Sequence, residues 1–146
     1  MEDTPQKRTL EEIFREKRKI FFDEIKEGIG LLYDIKQLAL AQVTFLSMRQ
    51  RLLEENHTLL EYFTRYKKDL RDRRGEQMVE TSKIGQARYQ ATEKTVIIDA
   101  NTSALKERLE RFENQINFYS DSIKTCDSVL FGIKDRIAAQ KLLDGN

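Results

Sequence analysis

The chain has little of several residue types on which many small folds depend. Its 146 residues include one cysteine, one proline, six glycines, one histidine and no tryptophan. A single cysteine excludes a disulfide framework within the chain, and the shortage of proline and glycine disfavours a turn-rich sheet protein. No apolar run approaches the roughly 18 residues of a membrane-spanning helix, and no secretory signal is recognisable. We therefore expect a soluble all-α protein of a reducing cytoplasm.

Charge is abundant but balanced. Charged residues make up 35% of the chain and apolar residues 39%, so there are few apolar side chains to build a large hydrophobic core within one chain. The 26 basic and 25 acidic side chains give a formal net charge of +1. Any affinity for a polyanion must therefore come from local clustering of cations.

The first predicted helix begins at a capping box. Thr9 followed by Glu12 is the spacing in which each side chain satisfies the backbone N–H of the other. Gly28 and Gly30 then interrupt the helical pattern, and each glycine costs about 1 kcal/mol relative to alanine inside a helix. We expect a break or kink there.

A second, longer helix is predicted from Leu31 to about Arg74. Apolar residues repeat every seven at two adjacent positions. These are Leu31, Leu38, Phe45, Leu52, Leu59 and Tyr66, with Leu32, Ala39, Leu46, Leu53 and Leu60. The partner position is polar at Gln42, Arg49 and Asn56, which favours a helix bundle or a polar, register-fixing oligomer core over a plain two-stranded zipper.

Residues 75–101 do not follow the helical period. Two glycines and small polar residues precede the β-branched run at residues 95–98, which favours a loop containing a short helix or strand. We accordingly divide the chain into an N-terminal helical region with an irregular connector, 1–101, and a C-terminal long helix, 102–146.

The C-terminal helix carries an apolar stripe with 4-3 spacing over nearly five heptads. It comprises Leu105, Leu109, Phe112, Ile116, Tyr119, Ile123, Cys126, Leu130, Ile133 and Ile137. A stripe this long must pack either on the first long helix or on another copy of the chain. Because there are two long stripes and few elements to cover them, we predict a homo-oligomer built through this C-terminal helix.

The sequence offers no recognisable catalytic constellation. His57 and Cys126 lie on different predicted helices, and Cys126 occupies a position where a small apolar residue belongs. Adjacent carboxylates on a helix point in different directions, and Cys/His metal spacings are missing. We expect a protein without catalytic activity, metal or cofactor.

The clearest candidate site is a basic and aromatic stretch, YFTRYKKDLRDRRGEQ, at residues 62–77. Cations beside aromatic rings bind single-stranded nucleic acid, because the cations neutralise phosphates while the rings stack on bases. Alternatively, the cations only face the carbonyl end of a helix, and the rings belong to its buried face. The candidate contacts are Arg65, Tyr66, Lys67, Lys68, Arg71, Arg73 and Arg74.

The C-terminal half resembles a known family. The segments EKTVIIDANTSALKERL and ENQINFYSDSIKTCDSVL, followed by GIKDRIAAQKLLDGN with Ile133, Lys134, Ile137 and Lys141, are similar to phage recombination mediators of the T-even type. These proteins load the phage recombinase onto single-stranded DNA. The family also has a basic, aromatic segment before a glycine-containing turn, in the place that precedes Gly75 here.

The resemblance implies an all-α, non-catalytic closed homo-oligomer that binds single-stranded DNA collectively. It also implies a recombinase and a single-strand binding protein as partners, in an infected bacterial cell. The alternative is a coiled-coil structural or adaptor protein that does not bind nucleic acid. A membrane-surface role for REKRKIFF is disfavoured by the glutamates of the same helix.

Overall fold

The computed structural model describes residues 7–84 and 91–145, except for the side chains of residues 83 and 84. In this part of the chain the regular structure is helical and contains no strand, so the all-α prediction is confirmed. The three long helices are α1, Leu10–Gly30, α2, Leu38–Ile84, and α3, Ala91–Asp144.

The beginning of α1 has the predicted capping box. The Thr9 hydroxyl accepts a hydrogen bond from the Glu12 backbone N–H at 3.3 Å. The Glu12 carboxylate in turn accepts one from the Thr9 backbone N–H at 2.9 Å. Two backbone donors that a helix N-terminus leaves without partners are thereby satisfied.

The break predicted near the two glycines lies directly after α1. Short 3-10 turns at Leu31–Tyr33 and Ile35–Gln37 connect α1 to α2, so the prediction of a long helix starting at Leu31 was wrong. Asp34, between the turns, has an extended backbone, and its carboxylate accepts a hydrogen bond from the Lys36 backbone N–H at 3.0 Å. This side-chain hydrogen bond gives the backbone an alternative to continuing the helix, and so favours the break between α1 and α2.

The irregular connector predicted over residues 75–101 was also wrong where the structure describes it. Helix α2 continues through Gly75 to Ile84, and α3 already begins at Ala91. Ile98, in the β-branched run, is 2% exposed and anchors this turn of α3 in the core. Burial of such a side chain outweighs its modest helix penalty. Residues 85–90 lie outside the described residues.

The chain forms two compact units. The first contains the described residues of Met1–Asn56 and Asn117–Asn146, and the second is His57–Ile116. Helices α2 and α3 therefore contribute to both units, whereas α1 belongs to the first alone. The division at residue 101 inferred from the sequence stays a prediction.

The first unit is a bundle of α1 with the beginning of α2 and the end of α3. The rings of Phe21 in α1 and Tyr119 in α3 pack edge to face, with centroids 5.9 Å apart. Between α2 and α3, Arg49 donates to Asp127 at 2.5 Å, which explains one polar position of the predicted seam. Lys17 of α1 pairs with Glu55 of α2 at 2.8 Å.

The buried face of α2 differs in part from the predicted one. The first predicted row is buried at Leu38, Phe45, Leu52 and Leu59. The second predicted row does not form the other half of the buried face, because its members Ala39, Leu46 and Leu60 are exposed. Ala41 and Met48, both 0% exposed, take that role. The two rows that pack are thus three and four residues apart, as helix geometry requires.

The C-terminal stripe packs within the chain. The buried members of the proposed oligomerisation set are Leu109, Phe112, Tyr119 and Ile133, together with Cys126. The half-buried members are Leu105, Ile116, Ile123, Leu130 and Ile137. Of the two partners that the sequence left open, helices of the same chain cover much of the stripe. Self-association stays a prediction.

The second unit pairs α2 and α3 as antiparallel helices. Tyr66 of α2 packs on Phe112 of α3 with centroids 5.2 Å apart, and farther along the pair Arg74 reaches Asp99. Its core is thin, so much of each helix surface faces solvent. The candidate contacts for nucleic acid lie on this unit.

Candidate nucleic-acid interface

The basic segment, defined as Arg65–Arg74, lies in the interior of α2 on the second unit. Its exposed candidate contacts are Arg65, Lys67, Lys68, Arg71 and Arg73, and its half-buried candidate contacts are Tyr66 and Arg74. Helix α2 runs on to Ile84. Since the macrodipole acts mainly within the last turn of a helix, it does not account for cations placed here.

Helical spacing gathers part of this segment into a groove on one side of α2. Thr64, Lys67, Lys68 and Arg71 are separated by three, four and seven residues from the first, so they share one face. Together with Phe63 they line a groove of about 550 Å³, here called the outer groove. No carboxylate is among these lining residues. The outer groove is therefore locally cationic.

Arg74 is the exception among the cations, because it is held by a carboxylate. It donates to Asp99 of α3 at 2.7 Å, and Lys106 donates to the same oxygen at 2.8 Å. The hydrogen bonds from Lys106 and Arg74 lower the pKa of the Asp99 carboxyl below its ordinary value. Arg74 thus joins the two helices of the unit and is a poor candidate for a phosphate contact.

The remaining cations of the segment do not form ion pairs with described residues. This is the case for Arg65, Lys67, Lys68, Arg71 and Arg73, although the segment also contains Asp69 and Asp72. A second group of cations lies near the N-terminus, at Lys7, Arg8, Arg15, Lys17, Arg18 and Lys19. In that group Arg8 pairs with Glu16 at 2.5 Å, Arg15 with Glu11 at 3.4 Å and Lys17 with Glu55 at 2.8 Å. Five neighbouring cations of the basic segment thus have no carboxylate partner in the described part of the chain, whereas three cations near the N-terminus are paired.

The aromatic residues of the segment are mostly engaged within the unit. Tyr66 packs on Phe112, and the guanidinium of Arg108 lies 4.9 Å from its ring centroid. These contacts agree with the alternative in which Tyr66 belongs to the buried face. Tyr62 is more accessible, at 44% exposed, and carries Arg65 at 5.6 Å from its centroid. Tyr62 is thus the more accessible of the two tyrosines, although it does not line the outer groove.

A second groove, the inner groove, lies between α2 and α3 and holds about 570 Å³. Lys67, Arg71 and Arg74 line it from α2, while Glu110 and Glu113 line it from α3. Apolar side chains lie between them, namely Phe63, Leu70, Met78 and Leu109. The two grooves share Phe63, Lys67 and Arg71, but only the inner one has carboxylates.

Sequence reasoning missed Glu110 and Glu113. Both are exposed, and neither forms an ion pair with a described residue. Their spacing of three residues indicates a shared helix face, but nothing in the sequence says that this face borders the basic segment. That proximity depends on how α2 and α3 pair.

Other chemistry finds little support in the described residues. No group of three or more His, Cys, Asp or Glu side chains is arranged to hold a metal ion there. Cys126 is buried in the first unit, and burial raises the pKa of its thiol. His57 belongs to the second unit and lies 3.5 Å from Glu61, one helical turn away. Among the described residues, no helix has an apolar segment long enough to cross a membrane.

Comparison with known proteins adds no relative. No family model, no curated protein and no solved structure matches the chain.

Proposed function

We propose that this protein binds single-stranded nucleic acid without catalysing a reaction, through the free cations of the basic segment. The observation that supports this most directly is the set of exposed, unpaired side chains of Lys67, Lys68 and Arg71 beside a groove without carboxylates. Phosphates are the natural partners of such cations, and releasing the counterions of the nucleic acid drives the association.

The geometry favours a strand that lies along α2. The cations from Lys67 to Arg71 span about 6 Å along the helix, at about 1.5 Å per residue, so together they can contact neighbouring phosphates of one strand. Tyr62 precedes Thr64 by two residues and therefore faces the other side of α2, so the ring that borders the outer groove is that of Phe63. A single copy has few contacts, so the affinity of one site is expected to be modest.

The test replaces Lys67, Lys68 and Arg71 with alanine in the full chain and measures binding of labelled oligo(dT) by fluorescence anisotropy. Between about 50 and 200 mM salt, the logarithm of the affinity of the original protein should fall by about 0.7 per phosphate contact for each unit of log salt. The triple variant should bind at least about tenfold more weakly and have a slope shallower by about 2, because three contacts are lost.

A matched control removes three exposed lysines from the first unit, with the variant Lys19→Ala/Lys26→Ala/Lys124→Ala. It changes the net charge by the same amount, so it separates a local site from general attraction. Equal loss of binding in both variants, or unchanged affinity in the first, would contradict the proposed site.

The narrower proposal is a recombination mediator that helps load a recombinase onto single-stranded DNA coated with a single-strand binding protein. Its support is the resemblance of the C-terminal half to the phage mediator family, together with the basic segment before Gly75. In a homo-oligomer, several weak sites would act on one strand and give strong collective binding.

A structural or adaptor role is the second candidate, and exposed apolar residues of α2 favour it. Val43 is 64% exposed and Leu46 is 51% exposed on the first unit, where they offer a surface for a protein partner. This role predicts no retention of labelled single strands even at low salt, so the binding experiment above separates the two candidates.

A further inference from the structure

The inner groove places two free carboxylates beside the cations of the basic segment. Glu110 and Glu113 stand on α3, while Lys67 and Arg71 stand on α2 and face both grooves. Neither glutamate is neutralised by an ion pair with a described residue. A phosphate entering the inner groove would therefore meet repulsion from one side and attraction from the other.

Such repulsion acts differently on one strand and on two. A duplex carries one negative charge per about 1.7 Å of axis, against about 3.4 Å for each strand. Within one Debye length, which is about 8 Å at physiological salt, two exposed carboxylates still act on nearby phosphates. A flexible single strand can follow the outer groove alone, whereas a stiff duplex cannot turn its second strand away from the inner groove.

We infer that Glu110 and Glu113 form an acidic wall that confines the bound strand to the outer groove and makes the site prefer single-stranded over double-stranded nucleic acid. This inference rests on the proposed function. It assigns to the two glutamates a role in specificity through like-charge repulsion, which is one way in which a binding surface rejects a competing ligand.

The experiment compares labelled oligo(dT) with a labelled duplex of equal length on the full-length Glu110→Gln/Glu113→Gln variant. Glutamine keeps the size and removes the charge. Duplex affinity should rise by about threefold to tenfold, the range expected for two exposed charge interactions. Oligo(dT) affinity should change by less than about twofold, since the strand avoids the wall. The ratio of the oligo(dT) affinity to the duplex affinity should therefore fall.

The matched control is Glu80→Gln/Glu107→Gln, which removes two exposed carboxylates of the second unit that line neither groove. The acidic wall is overturned if the affinities for duplex and oligo(dT) rise equally or if neither changes. It is also overturned if the control variant lowers the affinity ratio as much. These outcomes leave the proposed function in place. If the original protein binds neither probe at low salt, the proposed function fails, and the acidic wall fails with it.

Discussion

At the scale of single residues, local surroundings decide what a side chain does. Arg74 and Lys67 are both cations of one helix face, but Asp99 fixes Arg74 whereas Lys67 lies over the Phe63 ring at 5.1 Å and has no carboxylate partner. Only the second arrangement leaves the full charge available to a phosphate. Equal residue types in a basic segment are therefore unequal candidates for binding.

Gly28 shows the same dependence on surroundings. A Cβ atom at this position would lie 2.9 Å from the ring of Phe45, which is 0% exposed, so the ring or the helix would have to shift within the core. The Gly28→Ala variant should therefore lower the free energy of unfolding by about 1–2 kcal/mol. The reason is that overpacking costs about 1–3 kcal/mol and the gain in helix propensity offsets only part of that cost. Urea unfolding followed by circular dichroism measures the change.

Gly30 provides the control for this variant. Nothing lies within 4 Å of a Cβ atom there, and its backbone has ordinary helical angles of φ −57° and ψ −32°. Gly30→Ala should be neutral or stabilising. A Gly28→Ala variant as stable as Gly30→Ala would mean that the close approach of α1 to Phe45 does not exist.

At the scale of elements, the continuity of α2 determines the site. Because the helix passes through Gly75 without a positive φ, the cations before it lie on a regular helical surface instead of a frayed end. A helix ending at Arg74 would have placed them beside free carbonyl groups, and the dipole would then explain their presence.

Substitutions at Gly75 test this continuity. Nothing lies within 4 Å of a Cβ atom at this position, so Gly75→Ala should raise the free energy of unfolding by up to about 1 kcal/mol. Gly75→Pro should lower it by about 3 kcal/mol or more, because proline removes a helical hydrogen bond and clashes with the preceding turn. Thermal unfolding of both variants gives the two signs; tolerance of proline would indicate that the helix ends there.

At the scale of the whole molecule, the question is how much of the C-terminal stripe remains for a second copy. Ile133, at 1% exposed, is already buried by its own chain, whereas Phe131, at 67%, is not. Self-association through α3 would therefore have to use exposed side chains and the half-buried row of the stripe.

The variants Ile133→Ala and Phe131→Ala separate the two kinds of contact. Ile133→Ala should lower the free energy of unfolding by about 2–5 kcal/mol even where sedimentation finds only monomer, because it leaves a cavity inside the chain. Phe131→Ala should change it by less than about 0.5 kcal/mol. If Ile133→Ala weakens only association and leaves the monomer equally stable, the stripe is an interface between copies and not a core.

The sequence was informative where a local rule acts alone. The capping box at Thr9 and Glu12 needs only their spacing, and the row from Leu38 to Leu59 follows from helical periodicity. It misled where a local preference was overridden. Gly75 and the β-branched run before Ile98 favour irregular structure by themselves, but burial in a two-helix unit outweighs penalties of at most about 1 kcal/mol per residue.

By itself, then, the sequence determined the helical class, the start of α1 and the concentration of cations in residues 65–74, because composition and short-range spacing carry that information. The tertiary structure alone decided that Arg74 is held by Asp99, that Ala41 and Met48 complete the buried seam, and that Glu110 and Glu113 border the basic segment. These facts depend on which faces of helices distant in sequence meet, and a pattern read along one helix does not contain the position of its neighbour.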